Sequence, residues 1–93
     1  MVRYRSRIDI ISHILDVANG GGVTKTNIMY KALLSYAQIT EYLTVLTKTD
    51  LLSYDLYTHT FKTTEKGLKF LDIYNQMDGM IKESSPEQHQ RLI

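Results

Sequence analysis

The sequence predicts an α+β fold that is mostly helical, and three observations support this class. Apolar residues recur at three- and four-residue steps in four segments, which is the spacing of a helical face. A segment rich in β-forming residues precedes the last of these helices and surrounds a short turn. The chain has 93 residues, which fits one domain. The predicted elements, in order, are helix one at 6–19, helix two at 25–33, helix three at 36–49, strands at 51–57 and 61–63, and helix four at 65–82.

The composition excludes several classes of protein. The chain contains no cysteine, which excludes disulfides, cysteine-ligated zinc and thiol nucleophiles. A formal net charge of +1 excludes a strongly cationic coat protein, because affinity for phosphates rises with the number of cations presented. No apolar run is long enough to span a bilayer, and the N-terminus lacks the apolar stretch of a signal peptide. We therefore expect a cytoplasmic domain with a basic arm at 1–5 and a polar tail at 83–93.

Capping residues predict the boundaries of the first two helices. Ser6 and Asp9 have the spacing at which a serine accepts an end amide and an acid lies in the first turn. Three glycines at 20–22 end helix one, since glycine takes the left-handed cap conformation without a Cβ penalty. Val23 offers one residue of possible strand, and Thr24 begins helix two. The apolar pairs expected along helix two are Ile28 with Ala32 and Met29 with Leu33.

Helices two and three are joined by only two or three residues centred on Leu34-Ser35, which predicts a helix–turn–helix connection. Ser35 and Gln38 have the spacing of a capping box, in which each side chain satisfies the other residue's backbone amide. The expected apolar stripe of helix three consists of Tyr36, Ile39, Leu43 and Leu46, with Tyr42 on its flank. At about 100° per residue the opposite face is polar and turned to solvent. It carries Ala37, Thr40, Glu41, Thr44 and Lys48, with Gln38 and Val45 at its edge.

β-forming residues on both sides of Thr58-His59-Thr60 predict a two-stranded hairpin, although the turn lacks an Asn-Gly pair. Helix four begins at Thr64-Glu65, with the threonine as its cap. The apolar residues of helix four lie on two sides of the helix, which one core cannot easily cover. A helix of about 18 residues is also roughly 27 Å long, so its C-terminal half should project and expose an apolar patch.

This exposed patch predicts a homodimer formed through helix four. An extended contact between the patch and helix one is the alternative. The predicted dimer interface consists of Phe70, Ile73, Tyr74, Met77, Met80 and Ile81.

Two segments carry a resemblance to a known family. One is Thr24-Lys25-Thr26-Asn27-Ile28-Met29-Tyr30-Lys31-Ala32 followed by Ile39, Tyr42, Leu43 and Leu46, and the other is Lys62-Thr63-Thr64-Glu65-Lys66-Gly67, with its T-x-x-G entry to the last helix. In this order they resemble the small archaeal winged helix-turn-helix DNA-binding proteins over about residues 6–82. The resemblance implies a three-helix core, a two- or three-stranded wing and a long C-terminal helix. It also implies that helix three binds in the major groove and that the last helix joins two chains, as in some relatives.

The polar face of helix three has the side chains that read a major groove, since glutamine pairs with adenine and threonine contacts a phosphate or a thymine methyl. A plain solvated surface is the alternative interpretation. The relatives usually have arginine or lysine in the wing, whereas this wing has few cations and Asp55 nearby. Arg3, Arg5 and Arg7 form a basic arm that could follow a phosphate backbone. The predicted DNA contacts are Arg3, Arg5, Arg7, Lys25, Thr26, Ser35, Tyr36, Gln38, Thr40, Glu41, Thr44, Lys48, Tyr57, His59 and Lys62.

No catalytic or metal-binding pattern is recognisable in the sequence. His13, His59 and His89 are isolated from one another and lack ligand spacing. The three glycines follow a helix rather than a strand, so they do not indicate a phosphate-binding loop. We expect a non-enzymatic, dimeric transcriptional regulator or chromatin-associated protein that needs no cofactor, metal or small molecule. The alternative is a winged-helix protein–protein interaction module that does not bind nucleic acid, because fold does not establish function.

Overall fold

The computed structural model describes residues 5–83 and their side chains as far as residue 81. Local capping determines where its first three helices begin. The predicted Arg3 contact, His89, the rest of residues 1–4 and the tail from residue 84 lie outside the described residues. The elements are α1 (Arg7–Val17), α2 (Lys25–Ala32), α3 (Tyr36–Lys48), β1 (Leu52–Asp55), β2 (Thr60–Thr63) and α4 (Glu65–Glu83). This is an α+β winged helix, as the sequence predicts.

Both predicted capping boxes are formed. Ser6 accepts a hydrogen bond from the backbone N–H of Asp9 over 3.1 Å, and the Asp9 carboxylate accepts from the N–H of Ser6 over 3.2 Å. Ser35 and Gln38 make the same reciprocal pair before α3. Helix one ends earlier than predicted, at Val17 with Ala18 as its cap, and Gly20 then takes a positive φ of 91°.

Leu33 differs from the prediction because it ends α2 instead of packing with Met29. Its φ of 58° is left-handed, and its N–H bonds to the Met29 and Tyr30 carbonyls. The side chain is therefore 79% exposed, and Leu34 enters the core in its place. Tyr36 also departs from the expected apolar stripe, since it is 68% exposed at the first position of α3.

The hydrophobic core lies where α1, α2 and α3 meet, with β1 and α4 closing it. The helices bury residues at helical spacing, and Leu34, Leu52 and Leu71 complete the cluster. The buried helical residues are Ile14, Leu15 and Ala18 of α1, Ile28 and Ala32 of α2, and Ile39, Leu43 and Leu46 of α3. Burying these residues removes apolar surface from water and leaves the polar face of α3 outside.

The wing, residues 52–63, is an antiparallel hairpin in which Leu52 pairs with Thr63 and Tyr54 with Phe61. Val23 forms one bridge to Phe61, so the third strand consists of a single residue. The first strand ends at Asp55 rather than at 57, because the Asp55 carboxylate accepts hydrogen bonds from the N–H groups of Tyr57 and Thr58. This local bond replaces the expected ladder and forms a four-residue turn.

The T-x-x-G segment attaches α4 to the rest of the domain. The Thr64 hydroxyl accepts from the N–H of Gly67 over 3.0 Å and donates to the Asp50 carbonyl over 2.6 Å. Gly67 is buried, and a Cβ atom there would collide with the Leu51 carbonyl oxygen and the Thr63 side chain. Glycine is therefore the residue that allows this close approach of α4 to the start of the wing.

Beyond its first turns α4 leaves the core. Phe70 packs against the core, and the Tyr74 hydroxyl donates to the Asp9 carboxylate over 2.5 Å. These two residues of the predicted dimer interface therefore also make contacts within their own chain, and both remain partly exposed. The remaining predicted interface residues are more than half exposed: Ile73, Met77, Met80 and Ile81.

Candidate nucleic-acid interface

The exposed face of α3 follows directly from the burial of its apolar stripe. Ile39 and Leu46 are fully buried, and Leu43 is 5% exposed. Residues offset by about half a turn must then face solvent. The structure exposes every predicted contact on this helix: Tyr36, Gln38, Thr40, Glu41, Thr44 and Lys48.

The two threonines of this face turn their hydroxyl hydrogens toward the helix itself. Thr40 Oγ1 lies 2.8 Å from the Tyr36 carbonyl oxygen, and Thr44 Oγ1 lies 2.9 Å from that of Thr40. A carbonyl oxygen can only accept, so each hydroxyl is the donor. Each threonine therefore offers a methyl group and oxygen lone pairs to a partner.

The predicted contacts Ser35 and Gln38 also have structural roles. The Gln38 side-chain oxygen accepts from the N–H of Ser35 over 3.0 Å, and Ser35 Oγ accepts from the N–H of Gln38 over 3.2 Å. The amide oxygen of Gln38 is therefore used as an acceptor within the cap. The NH₂ group of Gln38 takes no part in these two bonds and can donate to a partner.

A groove of about 570 Å³ lies between the first turn of α2, the face of α3 and the wing. It brings together five of the predicted contacts: Lys25, Thr26, Thr40, Thr44 and His59. It is also lined by residues that the sequence analysis did not select, namely Thr24, Leu43, Thr47, Tyr54 and Phe61. Tyr54 and Phe61 pair across the hairpin with ring centroids 4.7 Å apart, and that pairing depends on a strand register set by the turn.

Lys25 and Tyr36 form a pair at the first positions of α2 and α3. The Lys25 ammonium lies 4.0 Å from the centre of the Tyr36 ring. A hydrogen bond from Lys25, followed by its positive charge, lowers the pKa of Tyr36 below its usual value of 10.0. The pair places a cation and a phenol beside the free amides of two helix N-termini, which favour anions.

Arg5 and Arg7 are held away from this groove. The Arg5 guanidinium donates to the Leu33 carbonyl over 3.3 Å and lies 3.4 Å from His13 Nδ1. Arg7 lies over the Tyr42 ring at 5.2 Å from its centre. Tyr42 and Thr40 are two residues apart, about 200° around the helix, so Arg7 lies on the side of α3 away from Thr40.

The tip of the wing is apolar rather than cationic. Leu56 is 75% exposed and Tyr57 is 94% exposed. The N–H groups of Tyr57 and then Thr58 lower the pKa of the Asp55 carboxyl, so a negative charge lies at the base of the tip. His59 is tied to the Tyr54 hydroxyl over 2.9 Å, and Lys62 is exposed on the second strand.

Residues 5–83 contain no group of three or more histidine, cysteine, aspartate or glutamate side chains able to hold a metal ion. Over the same span, no helix combines the length and apolar character needed to cross a membrane.

Comparisons with known proteins agree with this architecture. A family model described as winged helix-turn-helix matches residues 4–82. The crystal structure of Sso10a-2, a DNA-binding protein from the archaeon Sulfolobus solfataricus, gives a TM-score of 0.78 at 22% identity, with 96% of this chain and 97% of that chain covered. No significant match is found among curated protein sequences.

Two bacterial structures show a weaker likeness. A mutant of MepR from S. aureus, bound to an oligodeoxyribonucleotide, gives a TM-score of 0.60 at 16% identity over 90% of this chain and 70% of that chain. A mutant of ZitR from Lactococcus lactis gives 0.55 at 14% identity over 99% and 73%. At these identities the structural likenesses show the fold.

Proposed function

Because the chain belongs to the winged helix-turn-helix family, we propose that it is a DNA-binding protein, acting as a transcriptional regulator or a chromatin-associated protein. In this proposal α3 lies in the major groove of duplex DNA and the wing lies on the adjacent backbone. Sso10a-2 is described as a DNA-binding protein and the MepR structure holds an oligodeoxyribonucleotide, and both support the proposal. We infer a cytoplasmic location, with nucleoid association when DNA is bound.

The observation that carries this proposal is the exposed polar face of α3. Thr40, Thr44 and Lys48 are all exposed while the apolar side of the same helix is buried. The side chains are small enough to enter a groove and include hydrogen-bonding groups and methyls, which are what base edges require. The wing lies on the same side as the threonines, since both line one groove.

Electrostatics support a modest affinity for each chain. Lys25 lines the groove, and Lys48 and Lys62 are exposed on α3 and on the wing. Arg5 and Arg7 are further cations outside the groove, and the predicted contact Arg3 lies outside the described residues. Roughly three to five phosphate contacts per chain, at a salt slope near −0.9 per contact, give weak binding by a monomer. Glu41 on the same face opposes phosphate and lowers affinity further.

Dimerisation is part of the proposal because it doubles the number of contacts. The exposed apolar residues of the distal part of α4 lie along one side of the helix, and they are Ile73, Met77, Met80 and Ile81. Exposed apolar patches of this kind mark interfaces. Two chains joined through α4 would present two α3 helices to one duplex.

The second candidate is a protein–protein interaction module that keeps the fold without binding nucleic acid. The apolar wing tip favours it, since Leu56 and Tyr57 are exposed where a DNA-binding wing has cations. Membership of the winged helix-turn-helix family supports a non-enzymatic role for the domain. We infer a non-enzymatic protein under either candidate.

A salt titration with a charge-matched control separates the two candidates. Fluorescence anisotropy with a short duplex at low and moderate salt should show an affinity that falls steeply as salt rises. Lys48→Ala should lower the salt slope by about one and weaken binding to all sequences alike. Lys69→Ala removes an exposed cation from α4, which packs on α1 and β2, and should leave the slope unchanged. Absence of binding at low salt contradicts the proposal and favours the interaction module.

A further inference from the structure

The hydrogen-bonding inventory of the α3 face restricts what it can recognise. The hydroxyl hydrogens of Thr40 and Thr44 are committed to the carbonyls one turn earlier. The Glu41 carboxylate, exposed between them in sequence, can only accept. The centre of this face therefore consists of methyl groups and acceptors.

Such a face is poorly suited to the DNA backbone. Phosphate oxygens are acceptors, so a threonine would have to break its bond to the helix before it could donate to one. That exchange of one hydrogen bond for another gains little. The negative charge of Glu41 adds repulsion at short range. The threonines are thus matched to base edges rather than to phosphates.

Among the groups on base edges, the methyl group of thymine matches the methyl groups that Thr40 and Thr44 present on this face. Guanine offers two acceptors in the major groove, whereas thymine offers a C5-methyl group. Thr40 and Thr44 line the groove together with Leu43, Tyr54 and Phe61, so part of the lining beside them is apolar. Moving a methyl group from water onto an apolar lining is favourable.

We propose that Thr40 and Thr44 recognise thymine C5-methyl groups in the major groove, which makes thymine content a determinant of where the protein binds. This inference rests on the proposed DNA-binding function and names the chemical group that the site selects. Each buried methyl contributes about a three- to fourfold gain in affinity. Two contacts per chain therefore give roughly a tenfold preference for thymine over uracil.

The test compares duplexes that differ only in this methyl group. A pool of random duplexes is amplified with dTTP or with dUTP, and the affinity of the full chain for each pool is measured by competition. The wild type should prefer the thymine pool. The double variant Thr40→Ser/Thr44→Ser keeps both hydroxyls and their bonds to the helix but lacks the methyls, so its preference should disappear.

Thr49→Ser is the matched control. Thr49 is exposed and its hydroxyl donates to the Val45 carbonyl over 2.9 Å, as in the two face residues. It lies about 140° from Thr44 around the helix, off the recognition face. The preference of Thr49→Ser for thymine should equal that of the wild type, and circular dichroism should show both variants folded.

The possible results of this experiment distinguish a failure of thymine recognition from a failure of DNA binding. Equal binding to both pools, with the salt dependence intact, overturns thymine recognition and leaves DNA binding in place. A thymine preference that persists in the double serine variant also overturns it, because the preference then arises from the shape of the DNA. Binding to neither pool overturns both the proposed function and this inference.

Discussion

At the scale of single residues, Asp9 connects the start of α1 to the middle of α4. Its carboxylate accepts from the Tyr74 hydroxyl and from the N–H of Ser6. Tyr74 is the largest cause that lowers the pKa of Asp9 below its usual 3.8, followed by Ser6. The same bond raises the pKa of Tyr74 to about 12.

These shifts define a pH window for stability. The contribution of Asp9 is present above its ordinary pKa of 3.8 and is lost as pH falls through its lower folded-state value. The contribution of Tyr74 is present below its ordinary pKa of 10.0 and is lost as pH rises through about 12. The bond therefore stabilises the fold across the neutral range.

Tyr74→Phe should lower stability at neutral pH, because it removes the hydroxyl that binds the Asp9 carboxylate. Urea unfolding should show a lower midpoint for the variant at neutral pH, and the difference should narrow as pH falls below 3.8. Tyr30→Phe changes a tyrosine that is 70% exposed and serves as the control. A midpoint for Tyr74→Phe that matches the wild type at every pH contradicts this account.

At the scale of elements, the start of α4 depends on a glycine that the chain cannot replace without moving backbone. Gly67 lies against the Leu51 carbonyl, and its N–H donates to the hydroxyl of Thr64, which caps the helix. Lys66 adds a bond from its ammonium to the Thr49 carbonyl over 2.7 Å. These contacts position α4 relative to the end of α3 and the wing.

Gly67→Ala and Gly79→Ala should change stability in opposite directions. A Cβ at residue 67 collides with backbone, and overpacking of this kind costs about 1–3 kcal/mol. A Cβ at residue 79 meets nothing within 4 Å, so alanine there should stabilise the helix by about 0.5–1 kcal/mol. Thermal and urea unfolding measure both effects. Equal stability of the two variants would show that the approach of α4 to Leu51 is looser than described.

At the scale of the whole molecule, the distal part of α4 exposes an apolar surface. Ile73 is 59% exposed, Met77 52% and Ile81 67%, although Phe70 and Tyr74 on the same helix pack within the chain. The contacts of Phe70 and Tyr74 hold α4 on the domain, while Ile73, Met77 and Ile81 stay exposed and can meet a partner. A second copy of the chain is the partner we propose.

Met77→Glu should convert the dimer into a monomer, because it places a charge in the middle of the apolar stripe. Sedimentation velocity at high micromolar concentration measures the change, and the salt slope of DNA binding should fall with it. Gln76→Lys adds a charge at a neighbouring exposed position on α4, where it can pair with the Asp72 carboxylate one turn earlier, and should remain dimeric. A wild type that sediments only as a monomer contradicts the dimer proposal.

Much of the fold was predictable because it depends on residues that are close in sequence. The capping boxes at Ser6 and Ser35 act over three residues, and the burial of Ile39 and Leu46 follows from helical periodicity. The bond from the Gly67 N–H to the Thr64 hydroxyl at the start of α4 is equally local. The exposure of Thr40 and Thr44 follows from the same periodicity, since the other side of the helix is apolar.

The structure differs from the sequence predictions where one segment of the chain packs against another. No spacing indicated that Leu33 would take a left-handed conformation and give its core position to Leu34. Similarly, no spacing indicated that Arg5 would bond to the Leu33 carbonyl or that Arg7 would lie over the Tyr42 ring. Those contacts join residues far apart in the chain, so residue order alone could not indicate them.

The sequence by itself determined the four helices, the hairpin and which side of α3 faces solvent, because hydrogen bonds and periodicity within a few residues control these features. Only the tertiary structure decided that Lys25, Thr44 and Tyr54 share one groove and that Tyr74 bonds to Asp9. Such juxtapositions arise when the core closes and the turns fix the directions of the elements. Their geometry depends on packing between distant segments rather than on any local pattern.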